Sequence, residues 1–460
     1  MDCCWDGQLP IGSGPIAKTV RPPCIPFRSK TRSSGSRLRS SRVKGGLTLA
    51  QAIPRIGSGT VVTFGLVAVT VALIAFGHIV GWDATWRAFG VTPLQPPFYD
   101  MHIINDYAAC APRGVDAYVP QACNKANFNI PPVWLWLGFL GIDGSSSNWL
   151  AAAMIAASTI VIVLLFRGRP CSHGWIALSA LISPSVMMGV ERANLDLLIL
   201  ALVGSAALIY REQSAARACG AIVLLGVGVA LKLIPMFCVS LVARFSRHTL
   251  FFAGAVMVLS VIYLGAIADY VVLIRRNVPT TFILSYGYKA IFLGIDHPRM
   301  EAGLGPMGLA DTWVPVIVTT LVLICAFVVA LGMFRRQSEF CPVDVSVAGT
   351  AFLFGAGIYC GTYVLGTNFI YRLMFLLLCL PQLQDWLIQR ASDRKAAGYA
   401  EAGLLGVVLG VLWLNGNANG HTTFLLLPQF LNWLLFFGMS VVLMLNFLRR
   451  LAHAPTSDPK

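Results

Sequence analysis

The feature that most constrains this chain is a series of continuous apolar stretches. Many approach the roughly 20 residues that an α-helix needs to cross a bilayer. They are unbroken rather than alternating, so they read as helices and not as barrel strands, whose residues alternate between lipid and lumen. Composition closes off a water-soluble fold. Of 460 residues, 57% are hydrophobic and only 12% are charged, too little polar surface for a protein of this size. We therefore expect an all-α, polytopic transmembrane helical bundle of about 12 spans. They fall near residues 57–80, 147–166, 175–190, 195–210, 218–232, 234–243, 250–273, 313–334, 346–365, 369–387, 400–415 and 423–448.

The charges between the runs set the expected orientation. With both termini cytoplasmic, 24 of the 34 Lys and Arg residues fall on the inner side, and every inner loop carries some, as the positive-inside rule requires. Reading 218–243 as one span kinked at Ile234-Pro235 would reverse every later loop, so a hairpin is preferred there. The same bias accounts for the net charge of +14. No nucleic-acid-binding motif accompanies that charge, and no nucleic acid is expected as a partner. Residues 1–55 carry ten Lys or Arg against two acids in a Ser-, Gly- and Pro-rich stretch. They are expected to form a disordered, basic cytoplasmic tail, and they lack the apolar core of a signal peptide. Residues 56–450 then form the membrane domain and 451–460 a short cytoplasmic tail.

Two polar segments are expected on the outer side, 96–132 and 275–312. The first holds Asp100, Asp106 and Asp116 with Cys110 and Cys123. Asp100 reads as a general base at the membrane surface or as the N-cap of a short helix. Asp106, six residues on, is the fallback base. Asp116 reads first as a turn residue. Cys110 and Cys123 fit either a disulfide, in an oxidising compartment, or two reduced thiols. The apolar stretch Ile130–Ile142 is too short to cross and starts at a proline pair, which suits a half-helix or interfacial segment.

Cations that violate the positive-inside bias are the next candidates. Glu191-Arg192-Ala193-Asn194-Leu195-Asp196 lies between two spans, where ionisable residues are costly and suggest function; the bland alternative is a polar turn with Asn194 or Asp196 capping the next helix. Lys232 sits in an apolar run before a proline break. It reads as a phosphate partner at a cavity or as a snorkelling lysine. Arg275, Arg276, Lys289 and Arg372 suit phosphate by chemistry, and Arg372 stands out because Asn368-Phe369-Ile370-Tyr371-Arg372 opens a span with polar groups. No phosphate loop, HExxH or CxxC metal motif, or GxSxG elbow occurs, so neither a metal nor a cofactor is expected.

Several short motifs then fall into a familiar order. They are Gly114-x-Asp116-x-Tyr118, Asn129-x-Pro131-Pro132-x-Trp134, Arg192-Ala193-Asn194-Leu195-Asp196-Leu197-Leu198, Ala230-Leu231-Lys232-Leu233-Ile234-Pro235 and Asn368 to Arg372. In order and spacing, over roughly residues 57–390, the chain resembles the polytopic glycosyltransferases of the C-type superfamily. Within them it is most similar to the family 87 alpha-mannosyltransferase-like proteins. The resemblance implies an inverting transferase in a bacterial inner membrane, using a polyprenyl-phosphate sugar as donor and a glycolipid or glycan acceptor. It maps the base onto Asp100, the lysine before the proline break onto Lys232, and the polar turn onto Arg192 and Asn194. Lys232, Arg192, Arg372 and Arg275 or Arg276 would meet the phosphate, and Asp116, Tyr118 and Asn194 would bind sugar. The chain departs from the pattern at Ile130, where the family has tyrosine, so mannose does not follow. The competing expectations are a lipid or sugar transporter, with functional charges near mid-membrane, and a non-catalytic assembly partner in which Asp100 is dispensable.

Overall fold

The computed structural model describes residues 57–244, 246–278, 282–301, 303–337, 340, 342–392, 399–415 and 422–452. The tail expected over 1–55, and the C-terminal residues from 453, lie outside them. Among the described residues the regular structure is helical, apart from one antiparallel pair of two-residue strands.

Helices α1 (Ser58–Val80) and α2 (Trp82–Ala88) lead into the first polar segment, which holds α3 (Tyr99–Cys110); the single-turn α4 (Trp136–Phe139) lies in the short apolar stretch after it. There follow α5 (Ser147–Phe166), α6 (Cys171–Leu181), α7 (Pro184–Glu191), α8 (Asp196–Ile209), α9 (Ala215–Leu231) and a 3₁₀ segment, Ile234–Arg244. Next come α10 (Arg247–Ala266), α11 (Ala268–Asn277), β1 (Ser285–Tyr286), α12 (Ala290–Glu301), α13 (Val314–Arg335) and α14 (Val347–Leu365). The chain continues through β2 (Asn368–Phe369), a second 3₁₀ segment, Ile370–Leu378, then α15 (Leu380–Ser392), α16 (Tyr399–Leu414) and α17 (Thr422–Ala452).

Six helices are long and apolar enough to cross a membrane: Ser58–Val80, Gly144–Phe166, Arg247–Ala266, Val314–Arg335, Val347–Leu365 and Leu426–Ala452. The pair α6 and α7, bent by 59°, makes a seventh if counted as one span. This is a multi-pass membrane protein. Its outer helices leave apolar side chains uncovered, among them Phe64 on α1, Phe251 on α10 and Ile317 on α13. A helix satisfies its own backbone, so such faces are stable against lipid.

Local chemistry explains where the helices break. Pro184 opens α7; it has no N–H to give the preceding turn, and α6 ends at Leu181. Pro235 acts in the same way on α9, which stops at Leu231 and leaves Lys232 in an extended conformation (φ −163°, ψ 122°). The hairpin expected over 218–243 is thus α9 followed by a 3₁₀ segment. The run expected over 250–273 divides at Ile267 into α10 and α11, and that over 369–387 divides into the second 3₁₀ segment and α15.

The second 3₁₀ segment lies at the centre of the molecule. Its residues from Leu373 to Leu378 are fully buried. It packs on α14, where a side chain at Gly355 would come within 2.7 Å of the Phe375 carbonyl. On the same helix, Gly357 and Gly361 admit Phe237 and Ser240 of the first 3₁₀ segment. Small residues at such crossings let backbones approach where lipid supplies no hydrophobic drive. The strand pair (Ser285 opposite Phe369, Tyr286 opposite Asn368) ties the second polar segment to the start of this central element.

Candidate functional site

The turn between α7 and α8 is the framework of the site. Ala193 is buried there in a left-handed conformation (φ +46°), which costs energy for a residue with a Cβ and persists only where the surroundings hold it. The turn takes three hydrogen bonds from the chain leading into α3. Leu94 N donates to Glu191 Oε1 at 2.8 Å, Phe98 N to the Glu191 carbonyl at 3.1 Å and Asp100 N to the Arg192 carbonyl at 3.1 Å. These bonds join residues more than ninety positions apart and bring Asp100 beside Arg192.

Asn194 links the two ends of the resulting network. Its Nδ2 donates to Asp100 Oδ2 at 2.6 Å, and its Oδ1 accepts from Asp196 N at 3.0 Å and from Lys232 Nζ at 3.4 Å. Asp196 is fully buried behind Lys232 and Arg372, with Lys232 Nζ at 2.7 Å and Arg372 Nε at 3.5 Å. Both contacts are ionic rather than well-directed hydrogen bonds. Asn368 accepts a further bond from the Arg372 guanidinium. Lys232 reaches the network because α9 has ended, and the Trp134 indole takes the freed Leu231 carbonyl at 3.0 Å.

These groups meet on a cavity of about 400 Å³. One wall carries Asp100, Arg192, Asn194, Lys232 and Arg372. Gln121, Asn127, Asn129 and Asn277 also line it. Among the described residues, the side chains of Gln121, Asn127 and Asn129 find no hydrogen-bond partner, which leaves their amides facing the cavity. Tyr371 and Phe369 add aromatic surface, and Arg192 lies 5.8 Å above the Phe369 ring. Asp100 is half-buried on this wall. Its removal from bulk water pushes the carboxyl above the usual carboxylate range, against the pull of Arg192, the Asn194 hydrogen bond and Lys232.

The structure thus gathers five of the candidates, Asp100, Arg192, Asn194, Lys232 and Arg372. The others lie elsewhere. Asp106 accepts from Asn124 Nδ2 at 2.7 Å, a brace across the loop. Asp116 is exposed and accepts from Tyr118 N at 2.9 Å, closing a turn. Tyr118 is buried against Phe128 and Tyr270 and donates its hydroxyl to the Ile130 carbonyl. None of these three lines the cavity. Arg275 and Arg276 are exposed in the last turn of α11, and Lys289 sits 3.9 Å from exposed Asp311. Cys110 and Cys123 are joined by a disulfide. It fastens the end of α3 to the loop that supplies Gln121, Asn127 and Asn129.

Sequence reasoning missed Asp196 as a counter-ion and Asn277 as a strut. Asn277 is buried and donates to the carbonyls of Tyr118 and Phe128, and no local pattern signals a bond to carbonyls so far away in the chain. Among the described residues, no cluster of His, Cys, Asp or Glu is arranged to hold a metal ion. Compared with protein-family models, with curated proteins and with solved structures, the chain has no match.

Proposed function

We propose that this protein is a membrane-embedded glycosyltransferase, similar to the family 87 members of the C-type superfamily. In this reading it moves a hexose from a polyprenyl-phosphate sugar to a glycolipid or glycan acceptor outside the cytoplasm, in a bacterial inner membrane. The observation that carries the reading is the single cavity in which Asp100 faces Arg192, Lys232 and Arg372, each from a different part of the chain.

Asp100 takes the proton from the acceptor hydroxyl as its oxygen attacks the anomeric carbon. The bond from that carbon to the phosphate oxygen breaks, and its electron pair leaves with the lipid phosphate. Attack from the face opposite the leaving group inverts the anomeric centre. Arg192, Lys232 and Arg372 stabilise the charge that grows on the phosphate, and a site already carrying them need not reorganise to do so. Gln121, Asn127 and Asn129, rather than Asp116 and Tyr118, offer amides to sugar hydroxyls. The reaction calls on no cofactor. Counting α8, α9, α16, the first 3₁₀ segment, and the second together with α15 as further crossings gives the twelve-span topology, with both termini cytoplasmic.

The test is sugar transfer in membranes holding the wild-type protein or Asp100→Asn, with radiolabelled polyprenyl-phosphate hexoses as donors and extracted cell lipids and glycans as acceptors. A labelled product from the wild type that is lost in an equally abundant Asp100→Asn supports the reading. A product that survives the substitution removes Asp100 from the mechanism.

A further inference from the structure

Glu191 has no part in the chemistry just described, yet it is one of the most buried carboxylates in the protein, with 2% of its surface exposed. Its two oxygens do different things. Oε1 accepts from Leu94 N at 2.8 Å. Oε2 is buried, receives no hydrogen bond, and lies 4.0 Å from Arg192 Nε, itself buried without a hydrogen-bond acceptor. A buried carboxylate oxygen is expensive unless an opposite charge compensates it, and Arg192 is the cation beside it. In front, the Arg192 guanidinium lies over the Phe369 ring.

We infer that Glu191 is a positioning residue that sets the base and the phosphate-binding cation relative to each other; the inference rests on the transferase reading of the same cavity. One oxygen holds the segment that ends in Asp100, and the other orients Arg192. The two backbone bonds from Phe98 and Asp100 to this turn then fix the register of the base. Phe98 and Ala193 both take left-handed conformations (φ +60° and +46°), which residues with a Cβ keep only where the surroundings hold them. Glu191 touches no reacting atom.

Two substitutions separate the functions of the two oxygens. Glu191→Gln keeps an oxygen for Leu94 N and removes the charge facing Arg192. Glu191→Ala removes both. Two readouts on the purified full-length protein need no turnover: amide hydrogen exchange over residues 94–100, and affinity for farnesyl phosphate as a soluble prenyl-phosphate probe. Glu191→Gln is expected to leave exchange within twofold and to weaken farnesyl phosphate about tenfold, the size of one charge-assisted contact. Glu191→Ala is expected to weaken it as much and to speed exchange of the 94–100 amides at least tenfold. If Glu191→Ala does not accumulate, Glu191→Asp takes its place; it draws the oxygen back by one methylene and is expected to speed the same amides.

Where transfer is measured, Glu191→Gln raises the donor KM with kcat within threefold, while Glu191→Ala also lowers kcat. Unchanged affinity in Glu191→Gln, or unchanged exchange in Glu191→Ala and Glu191→Asp, overturns the inference. A wild type that binds farnesyl phosphate but transfers nothing sinks the transferase reading alone, and the exchange and affinity arms still decide whether Glu191 holds the junction.

Discussion

Two groups of cations are phosphate-binding candidates by sequence, and their surroundings in the structure differ. Arg192, Lys232 and Arg372 lie on the cavity; Arg275 and Arg276 lie exposed at the end of α11. The difference between them is what stands behind. Asp196, fully buried, sits within ion-pair reach of both Lys232 and Arg372, and Glu191 lies beside Arg192. No buried carboxylate pairs with Arg275 or Arg276 among the described residues. Their place in the last turn of α11 has its own explanation, since cations favour the negative end of a helix dipole. What sets the cavity cations apart is thus a buried carboxylate that offsets their desolvation before any ligand arrives.

The largest effect is expected where that counter-ion is removed. Asp196→Ala leaves Lys232 and Arg372 facing each other in a buried site. Breaking one partner of a buried ion pair typically costs about 3–5 kcal/mol, enough to deplete the folded protein. The check is the abundance and thermal midpoint of the purified variant beside Arg275→Ala/Arg276→Ala. If Asp196→Ala is as stable as the arginine pair variant, buried counter-ions do not set the two groups of cations apart.

Asp100→Asn should follow, with a loss confined to chemistry. Removing a general base costs on the order of 10²–10⁴ in rate, with the protein still abundant. The wild type adds a pH signature. Burial raises the Asp100 carboxyl, so it holds its proton in the folded state at pH values where the unfolded chain has lost it. Transfer therefore rises with pH through a midpoint above the ordinary carboxylate range. Stability does the opposite: it is higher below the ordinary carboxylate value and falls as pH rises toward the raised one. Asp100→Asn abolishes both dependences and raises the thermal midpoint slightly at neutral pH. A pH–rate profile and a melt at two pH values check the signs.

The helical class of the fold was legible because apolar length is a physical requirement of the bilayer and shows in any window of the chain. The 3₁₀ segments were not, because Ile370–Leu378 is as apolar as a span and nothing local distinguishes its winding. Lys232 was legible as a charge within an apolar run before a proline. Asp196 was read as part of a costly polar turn or as a cap, but not as a counter-ion, since its partners stand 36 and 176 positions away. Asp116 shows the opposite case. The turn chemistry visible in the sequence is what its side chain does, and sugar binding was the part added by resemblance.

The disulfide offers a smaller effect that sharpens the contrast between the polar segments, because only the first is fastened in this way among the described residues. Cys110→Ser/Cys123→Ser opens a short loop, and closing a loop of about 15 residues is worth roughly 3 kcal/mol on chain-entropy grounds. Thermal midpoints of the oxidised and reduced wild type, and of the double variant, measure it. The reduced wild type and the variant should agree. Farnesyl phosphate affinity should fall less than tenfold in either, since Arg192, Lys232 and Arg372 lie outside the loop.

The smallest effect is expected at Arg275 and Arg276, and it is the one that most directly breaks the comparison. Replacing both with alanine should change donor KM by less than twofold. Their neighbour Asn277 serves as the control within the same turn. Asn277→Ala leaves the buried carbonyls of Tyr118 and Phe128 without their donor, at about 1–3 kcal/mol for each group left unpaired. It should loosen the loop that carries Asn127 and Asn129. If instead the arginine pair variant raises donor KM tenfold and Asn277→Ala does nothing, α11 must turn its cations toward the ligand when one is bound. A buried counter-ion would then be no guide to which cations hold the phosphate.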